Sequence, residues 1–193
     1  PYKGTVTLNG CDLSKTPPAE RARQISMLPQ HLPAPALTVW ETVALGRTPH
    51  TTHLGEQDRT VIENALAKCE ITHLRDRRTD LLSGGERQKV FLALLLAQDT
   101  PVLLLDEPSS ALDPIAEYTM FENMMRATQG RSVIFISHRL SSAVLADRVI
   151  LMDGGTVAEC GTHAELMAKN GKYAAMFHRQ AENYLGSEVS AHE

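Results

Sequence analysis

The sequence predicts an α/β protein built on a parallel β-sheet with helices on both faces, into which a helical segment is inserted. Two observations predict this class. Several short apolar runs lack the alternation of a half-exposed strand, and helical patterns separate them, as in parallel sheets that are buried on both faces. Between residues 38 and 82 the spacing of apolar residues is helical instead, which predicts the inserted helical part.

The segment before the insert predicts short elements. Residues 4–10 (GTVTLNG) alternate and end in a turn signal, which indicates one strand of a hairpin. Residues 16–20 (TPPAE) indicate a helix start, because proline is tolerated in a first helical turn. Residues 24–29 (QISMLP) predict a strand that leads to Gln30, and the two prolines within residues 31–36 predict a loop.

From the insert onward the sequence predicts helices first and then helices and strands in alternation. Thr38 and Glu41 form a capping-box pattern, and residues 56–69 place Ile62 and Leu66 at helical spacing. Further helices are predicted at residues 88–97, 115–128 and 161–193. Further strands are predicted at residues 102–105, 132–136 and 148–152.

Composition excludes several classes of protein. The net charge of −4 argues against a surface for nucleic acid or for an anionic membrane, because such surfaces need clustered Lys and Arg. No apolar run reaches the roughly 20 residues that cross a bilayer as a helix. Three cysteines lie far apart and without metal-ligand spacing, so we expect reduced thiols at Cys11, Cys69 and Cys160.

The most informative segment is VLLLDEP at residues 102–108. Its apolar run predicts a buried strand, and Asp106 and Glu107 follow at the carboxyl end, where open α/β sheets bind ligands. In a phosphoryl-transfer enzyme Asp106 would hold Mg²⁺, and Glu107 would polarise the attacking water. The alternative is that Asp-Glu-Pro simply ends a strand in solvent, and this segment alone leaves both interpretations open.

The second segment is LSGGERQ at residues 82–88. Ser83 and Glu86 satisfy a capping box, so an ordinary helix start is the simplest interpretation. A capping box does not require Gly84 and Gly85, however, and two glycines expose backbone N–H groups where a phosphate can approach. The position of this segment shortly before the Asp-Glu strand favours the phosphate-binding interpretation.

Taken in order, LSGGERQ, LLLDEPSSALD and ISH resemble the signature, Walker B, D-loop and switch-histidine motifs of ATP-binding cassette (ABC) proteins. The resemblance covers most of the chain and implies a P-loop NTPase (RecA-like) fold with the α-helical subdomain of that family. It also implies that ATP and Mg²⁺ bind and that ATP is hydrolysed. The partners it implies are a second such domain, arranged head to tail, and a transmembrane permease at the cytoplasmic face of the inner membrane.

The resemblance assigns roles to individual residues by position. Gln30 in LPQ corresponds to the Q-loop glutamine, which touches Mg²⁺ and water and faces the permease. Asp106 corresponds to the Mg²⁺-associated aspartate, Glu107 to the catalytic glutamate, and His138 to the switch histidine that contacts the γ-phosphate. Four residues correspond to the signature that closes over ATP bound to the other subunit: Ser83, Gly84, Gly85 and Gln88.

The same resemblance divides the chain into four parts and adds one residue to the site. Asp113 in SALD corresponds to the D-loop aspartate. The expected parts are core strands and the start of the Q-loop (1–30), the helical subdomain (31–82), the signature-to-switch region (83–160) and the C-terminal helices (161–193).

In one respect the sequence departs from the family. The Walker A pattern G-x-x-x-x-G-K-[ST] occurs nowhere in the chain, and in the family it precedes the hairpin strand. We therefore expect Walker A and the natural N-terminus to lie upstream of Pro1. A phosphoryl-transfer site without that loop and its lysine loses most of its phosphate-binding groups. The fragment alone is expected to be inactive, although its signature face can complete a site on a full-length partner.

The two halves of the chain resemble different transporters. LPQHLPAP and LTVWETVALGR resemble ATPases of iron-siderophore and cobalamin importers, whereas the part from IFISHRL to FHRQAENY resembles exporter cassettes fused behind a transmembrane domain. Iron-siderophore uptake is the leading prediction and a fused exporter the alternative. Two other classes stay open. A soluble ABC protein acting on nucleic acid would need a long coiled-coil or basic insertion between Gln30 and Ser83, and a non-catalytic half-site would not need Glu107 and His138.

Overall fold

A computed structural model of the chain describes residues 4–30, 32–107, 114–138 and 140–189. The chain divides into two compact units. One unit is formed by Pro1–Asp113 with Asn123–Ile136, and the other by Pro114–Glu122 with Ser137–Glu193. The parallel sheet and the inserted helices belong to the first unit, and an antiparallel hairpin followed by two helices belongs to the second.

The first unit opens with the short elements that the sequence predicts. A hairpin of β1 (Thr7–Leu8) and β2 (Cys11–Asp12) precedes helix α1 (Pro18–Ala22). A three-stranded parallel sheet follows, in the order β3 (Ile25–Leu28), β4 (Val102–Asp106) and β5 (Ser132–Ile136). The parallel sheet predicted from the apolar runs is thereby confirmed.

The two faces of this sheet have different surroundings. Leu28, Leu103 and Leu105 are buried on one face, where helix α4 (Gly84–Gln98) packs against β3. The opposite face carries three apolar side chains that are about half exposed: Met27 at 53%, Ile134 at 53% and Ile136 at 48%. The face with Leu28, Leu103 and Leu105 is therefore covered by a helix of the first unit, and the apolar side chains named on the other face are partly accessible to solvent.

The predicted helical insert consists of short helices arranged around α4. Helices α2 (Val39–Ala44) and α3 (Glu56–Lys68) both pack against α4. Helix α4 is buried on most sides, because Val90, Phe91, Leu95 and Leu96 all lie in the core. Three short 3-10 helices connect these elements, at Leu45–Arg47, Thr72–Leu74 and Thr79–Leu81. The predicted capping box at Thr38 and Glu41 is present at the start of α2.

The second unit corrects one strand prediction. The apolar run at 148–152, predicted beside the parallel strands, forms β6 (Val149–Asp153), which pairs antiparallel with β7 (Thr156–Gly161). Gly154 and Gly155 connect them with φ values of 55° and 77°, which suits a tight two-residue hairpin turn. The strand is present as predicted, but its expected place among the parallel strands was wrong, because the Gly154-Gly155 turn brings the chain back to pair with it.

Further α-helices follow α4 along the chain. Helix α5 (Pro114–Ala127) occupies the predicted position before β5, and helices α6 (His163–Lys169) and α7 (Lys172–Val189) form the predicted C-terminal helices. Leu140, Leu166 and Tyr173 form the buried core of the second unit. None of the helices in the described part of the chain is long and apolar enough to cross a membrane.

All three cysteines are free thiols, as predicted. Cys11 and Cys160 are exposed, whereas Cys69 is buried at the end of α3. Burial raises the pKa of the Cys69 thiol to about 12, because a thiolate is poorly solvated in an apolar interior. Cys69 therefore behaves as a small core residue.

Candidate functional site

The candidate site lies at the carboxyl end of β4, where the predicted carboxylates stand. Asp106 is the last residue of the strand and pairs with Ile136 of β5. The next residue, Glu107, donates its backbone N–H to the Ile136 carbonyl at 2.8 Å. Asp106 and Glu107 are both half-buried, so the strand does not simply run out into solvent.

The backbone of Glu107 is held in an unusual conformation. Its φ is +44°, in the left-handed region that residues with a side chain rarely adopt. Such a conformation costs about 1–3 kcal/mol and persists only where the surrounding structure fixes it. Here the hydrogen bond to Ile136 supplies part of that constraint. This conformation occurs at the position predicted to be the catalytic glutamate.

Gln30 joins this site from a different strand. Leu28, the last residue of β3, pairs with Leu105, so the ends of β3 and β4 are adjacent. From this position the Gln30 side chain donates its Nε2 to Glu107 Oε2 at 2.6 Å. The structure thus brings Gln30 together with Asp106 and Glu107, which the sequence analysis singled out in two separate segments.

The signature segment forms the start of helix α4. Ser83 is the N-cap: its hydroxyl accepts from the Glu86 backbone N–H, and Glu86 Oε2 accepts from the Ser83 backbone N–H at 2.9 Å. The Ser83 hydroxyl, followed by its backbone N–H, holds the pKa of Glu86 below its usual value. The predicted capping box is confirmed, and it orients the first turn of the helix.

The two signature glycines lie on an open surface in that first turn. Gly84 and Gly85 are exposed, and a Cβ built on either would meet nothing within 4 Å. Neither glycine is required by packing or by a positive φ. The N–H groups of a first helical turn have no partners within the helix, so this end can receive an anion. Gln88 lies half-buried one turn further along.

A short pairing of backbone segments connects the Q-loop region with the signature. The Thr79 N–H donates to the Leu37 carbonyl at 2.9 Å, and the Val39 N–H donates to the Arg77 carbonyl at 2.9 Å. A buried contact of 2.8 Å joins the hydroxyls of Thr42 and Thr79. The segment that follows Gln30 is therefore fastened to the segment that precedes the signature, within the same unit.

The other two predicted site residues at strand ends and in the D-loop are His138 and Asp113. His138 belongs to the second unit, two residues after β5, and its side chain is exposed. Its carbonyl accepts a hydrogen bond from Gln180 Nε2 at 2.7 Å. Sequence reasoning missed Gln180, because a glutamine within a helical pattern carries no signal of its own. The D-loop prediction, Asp113, falls outside the described residues.

Several other polar side chains of the first unit have structural partners. The ring of His50 contacts the Gln98 carbonyl at 2.7 Å. Trp40 donates its ring N–H to Glu63 at 3.0 Å, and Arg75 pairs with the same carboxylate at 3.1 Å. Across the described residues, no group of three or more His, Cys, Asp or Glu side chains could hold a metal ion.

Comparisons with known proteins agree with the geometry. The family model described as "ABC transporter" matches residues 1–110. The chain is 34% identical over 177 residues to the thiamine import ATP-binding protein ThiQ of Brucella suis, covering 90% of this chain and 73% of that protein. It is 42% identical over 163 residues to the hemin import ATP-binding protein HmuV of Pseudomonas entomophila, covering 80% of this chain and 64% of that protein.

A solved structure extends the similarity to the fold. The chain superposes on a bacterial Atm1-family ABC exporter with ATP bound with a TM-score of 0.77 and 31% sequence identity, covering 94% of this chain and 33% of that chain. The similar proteins thus include both importers and an exporter. In each of them the matched part is a portion of a longer protein, 64% in the case of HmuV.

Proposed function

The chain belongs to the ABC transporter family, and we propose that it forms the part of a transporter that binds and hydrolyses ATP to drive transport. The observation that supports this most directly is the meeting of Gln30 with Glu107 at the end of β4. A general base must lie within hydrogen-bond reach of the group that it activates. The 2.6 Å contact from the Gln30 amide to the proposed base supports an arrangement in which both side chains reach the same water.

Each residue at the sheet edge has a proposed task. The Glu107 carboxylate accepts a hydrogen bond from the attacking water and orients it for in-line attack on the γ-phosphate. Gln30 holds Glu107 in position and offers its own amide to the same water. The Glu107 backbone is hydrogen-bonded to Ile136, so the position from which its side chain extends is defined. His138 is assigned to the γ-phosphate.

The oxygen atoms of Asp106 and Gln30 fit Mg²⁺, which prefers hard oxygen ligands. Asp106 supplies a half-buried carboxylate at the strand end, and Gln30 retains an amide oxygen when its Nε2 is bonded to Glu107. When bound, Mg²⁺ neutralises charge on the phosphates. Since the protein offers so few ligands, the phosphates and water would supply the rest.

The signature of this chain is proposed to act on ATP bound by a second domain. Ser83, Gly84 and Gly85 present the first turn of α4 on an exposed surface, as contact with a nucleotide on another molecule requires. Gln88 adds a side-chain amide to the same end of the helix, and Asp113 is assigned to the D-loop contact. The two sites of a head-to-tail pair would each combine the sheet edge of one domain with the signature of the other.

The absence of Walker A from these 193 residues leads to a separate proposal about activity. We propose that the chain by itself binds ATP weakly and does not turn it over, since the backbone cradle and lysine of that loop supply most phosphate contacts. The experiment joins the chain to the Walker A segment of HmuV and compares ATP turnover with that of the chain alone. Turnover by the chain alone at the rate of the joined protein would contradict the proposal.

The catalytic assignment is tested in the joined protein by Glu107→Gln. We expect turnover to fall by about 100-fold or more, because the proton acceptor is lost while the shape of the side chain is retained. Glu56→Gln makes the same chemical change on an exposed helix and is expected to leave turnover unchanged. Equal turnover of Glu107→Gln and the parent protein would refute the assignment.

For the direction of transport we propose import, with an iron chelate as cargo and a permease at the cytoplasmic face of the membrane as partner. The 42% identity to a hemin importer and the importer-like segment after Gln30 support this choice. The exporter likeness of the C-terminal half supports the alternative of a domain fused to a transmembrane domain. Sequencing the gene upstream of the Pro1 codon separates them: a nearby start codon supports the importer, and a transmembrane domain in the same reading frame contradicts it.

A further inference from the structure

A single glutamine holds the segment that carries His138. Gln180, on helix α7, donates its Nε2 to the His138 carbonyl at 2.7 Å, and its Oε1 accepts from the Leu140 N–H at 2.9 Å. These bonds connect one side-chain amide to two backbone groups that lie two residues apart. We propose that Gln180 is a positioning residue for His138, fixing where its imidazole is presented. This inference rests on the proposed function of His138.

The chemistry of the contact requires an amide. A carbonyl needs a donor and a backbone N–H needs an acceptor, and the planar amide of Gln carries both. A glutamate at 180 would keep the oxygen for Leu140 but would oppose the His138 carbonyl with a second oxygen. A lysine would keep a donor and lose the acceptor. The contact is therefore specific in a way that an ordinary surface hydrogen bond is not.

Apolar packing holds the same segment against the same helix. Tyr173, Phe177 and Gln180 follow one another at intervals of four and three residues, so they lie along one face of α7. Leu140 is 8% exposed and lies in the core formed with Tyr173 and Leu166, against which Phe177 packs. The apolar contact holds the segment at Leu140, and the hydrogen bonds of the Gln180 side chain hold it at His138 as well.

Helix α7 is itself anchored at its start, so that it can act as a support. The buried carboxylate of Glu159 on β7 accepts from the backbone N–H groups of Lys172 and Tyr173, at 2.8 and 3.2 Å. The Lys172 ammonium also pairs with Asp153 at the end of β6. A series of defined contacts thus runs from the β6–β7 hairpin through α7 to Gln180 and His138. The role proposed for this part of the second unit is therefore to position His138.

The first test measures the contact on the 193-residue chain, without any need for activity. Amide hydrogen exchange at Leu140 is followed by NMR in the parent chain, in Gln180→Ala and in Gln180→Glu. We expect exchange at Leu140 to accelerate by about tenfold or more in Gln180→Ala, because the acceptor is lost. Gln180→Glu keeps the oxygen and is expected to retain most of the protection. Unchanged exchange in Gln180→Ala would overturn the contact.

The second test measures turnover in the protein joined to the HmuV Walker A segment. We expect Gln180→Ala and Gln180→Glu each to lower kcat by about tenfold, with the KM for ATP changed by less than about twofold, because misplacing a catalytic group affects the transition state most. Arg179→Ala, an exposed neighbour on the same helix, is the matched control and is expected to leave kcat unchanged. Parental kcat in Gln180→Glu would overturn the proposal.

A double-mutant cycle separates this inference from the proposed function. If Gln180 acts through His138, Gln180→Glu has no further effect on kcat once His138→Ala is present. Additive losses of kcat would show that Gln180 acts by another route and would overturn the proposal. If His138→Ala alone retains parental turnover, the assignment of His138 itself fails, whereas an impaired His138→Ala with a fully active Gln180→Glu rejects only the positioning role.

Discussion

Gly46 lies so close to the backbone of α4 that a Cβ built on it would stand 2.4 Å from the Leu94 carbonyl oxygen. The same Cβ would lie 3.0 Å from the Gln98 backbone nitrogen. Both neighbours are backbone atoms of a helix packed in the core, so neither can move without shifting the helix that begins with the signature. The close approach explains why a glycine stands in this 3-10 turn.

Gly46→Ala is therefore expected to lower the free energy of unfolding by about 1–3 kcal/mol, the usual cost of overpacking a tight contact. The physical reason is displacement of the turn away from α4, with loss of the packing between them. Urea denaturation followed by circular dichroism measures the change. An unfolding free energy equal to that of the parent chain would show that the turn can move without cost.

Gly85→Ala should have the opposite effect on stability. Its Cβ would meet nothing within 4 Å, and alanine has the higher helix propensity, so the free energy of unfolding is expected to stay equal or to rise by up to about 1 kcal/mol. Turnover in the joined protein is nevertheless expected to fall, because a methyl group on the exposed first turn hinders the approach of a phosphate. Loss of stability without loss of turnover would contradict the functional interpretation of this glycine.

Gln30→Ala removes the partner of the Glu107 carboxylate. We expect kcat of the joined protein to fall by about 10- to 100-fold, since the base is then less well oriented and the water loses a contact. Gln57→Ala changes an exposed glutamine on α3 and serves as the control, with turnover expected to be unchanged. A Gln30→Ala protein with the parental kcat would mean that the contact between Gln30 and Glu107 has no catalytic value.

Acid should destabilise the chain through its capping carboxylates. The Ser83 hydroxyl, and then its backbone N–H, lowers the pKa of Glu86 from an ordinary value of 4.5, and Thr162 does the same for Glu165 with its backbone N–H as the larger cause. A carboxylate with a lowered pKa in the folded state stabilises it fully above about pH 4.5, and this contribution is lost as the pH falls through the lowered value.

The measurement is the free energy of unfolding at neutral pH and at about pH 4 and below. We expect it to fall on acidification in the parent chain and to fall less in Glu86→Gln, since glutamine keeps an oxygen for the Ser83 backbone N–H but does not titrate. The same fall in both proteins would show that Glu86 does not contribute to the acid sensitivity.

Local features of the structure could be predicted from the sequence, and contacts between distant segments could not. The end of β4 was predictable, because an apolar run followed by Asp106 and Glu107 indicates both a buried strand and the residue at which it ends. The capping box at Ser83 and Glu86 needs only a spacing of three residues. In both cases the physical cause lies within a few positions of the pattern that reveals it.

The contacts of Gln30 and Gln180 are of the other kind. Gln30 and Glu107 are 77 positions apart and meet only because β3 and β4 pair in a particular register. The bond between Gln180 and the His138 carbonyl depends on how α7 packs in the second unit. The pairing of β6 is a different case, because its cause is local: the Gly154-Gly155 turn directly after the strand favours a hairpin.

The half-exposed apolar face of the parallel sheet has a practical consequence for anyone who prepares this chain. Met27 of β3 lies on this face on one side of Leu104 of β4, and Ile134 and Ile136 of β5 lie on the other side. Contiguous apolar patches of this kind promote association in water. Sedimentation velocity is expected to show self-association that grows with concentration, and Ile134→Lys is expected to reduce it by adding a charge to the patch. Sedimentation of the two proteins as identical monomers would contradict this. The highest concentration at which the isolated chain stays monomeric is then limited by association through this patch and not by its folding stability.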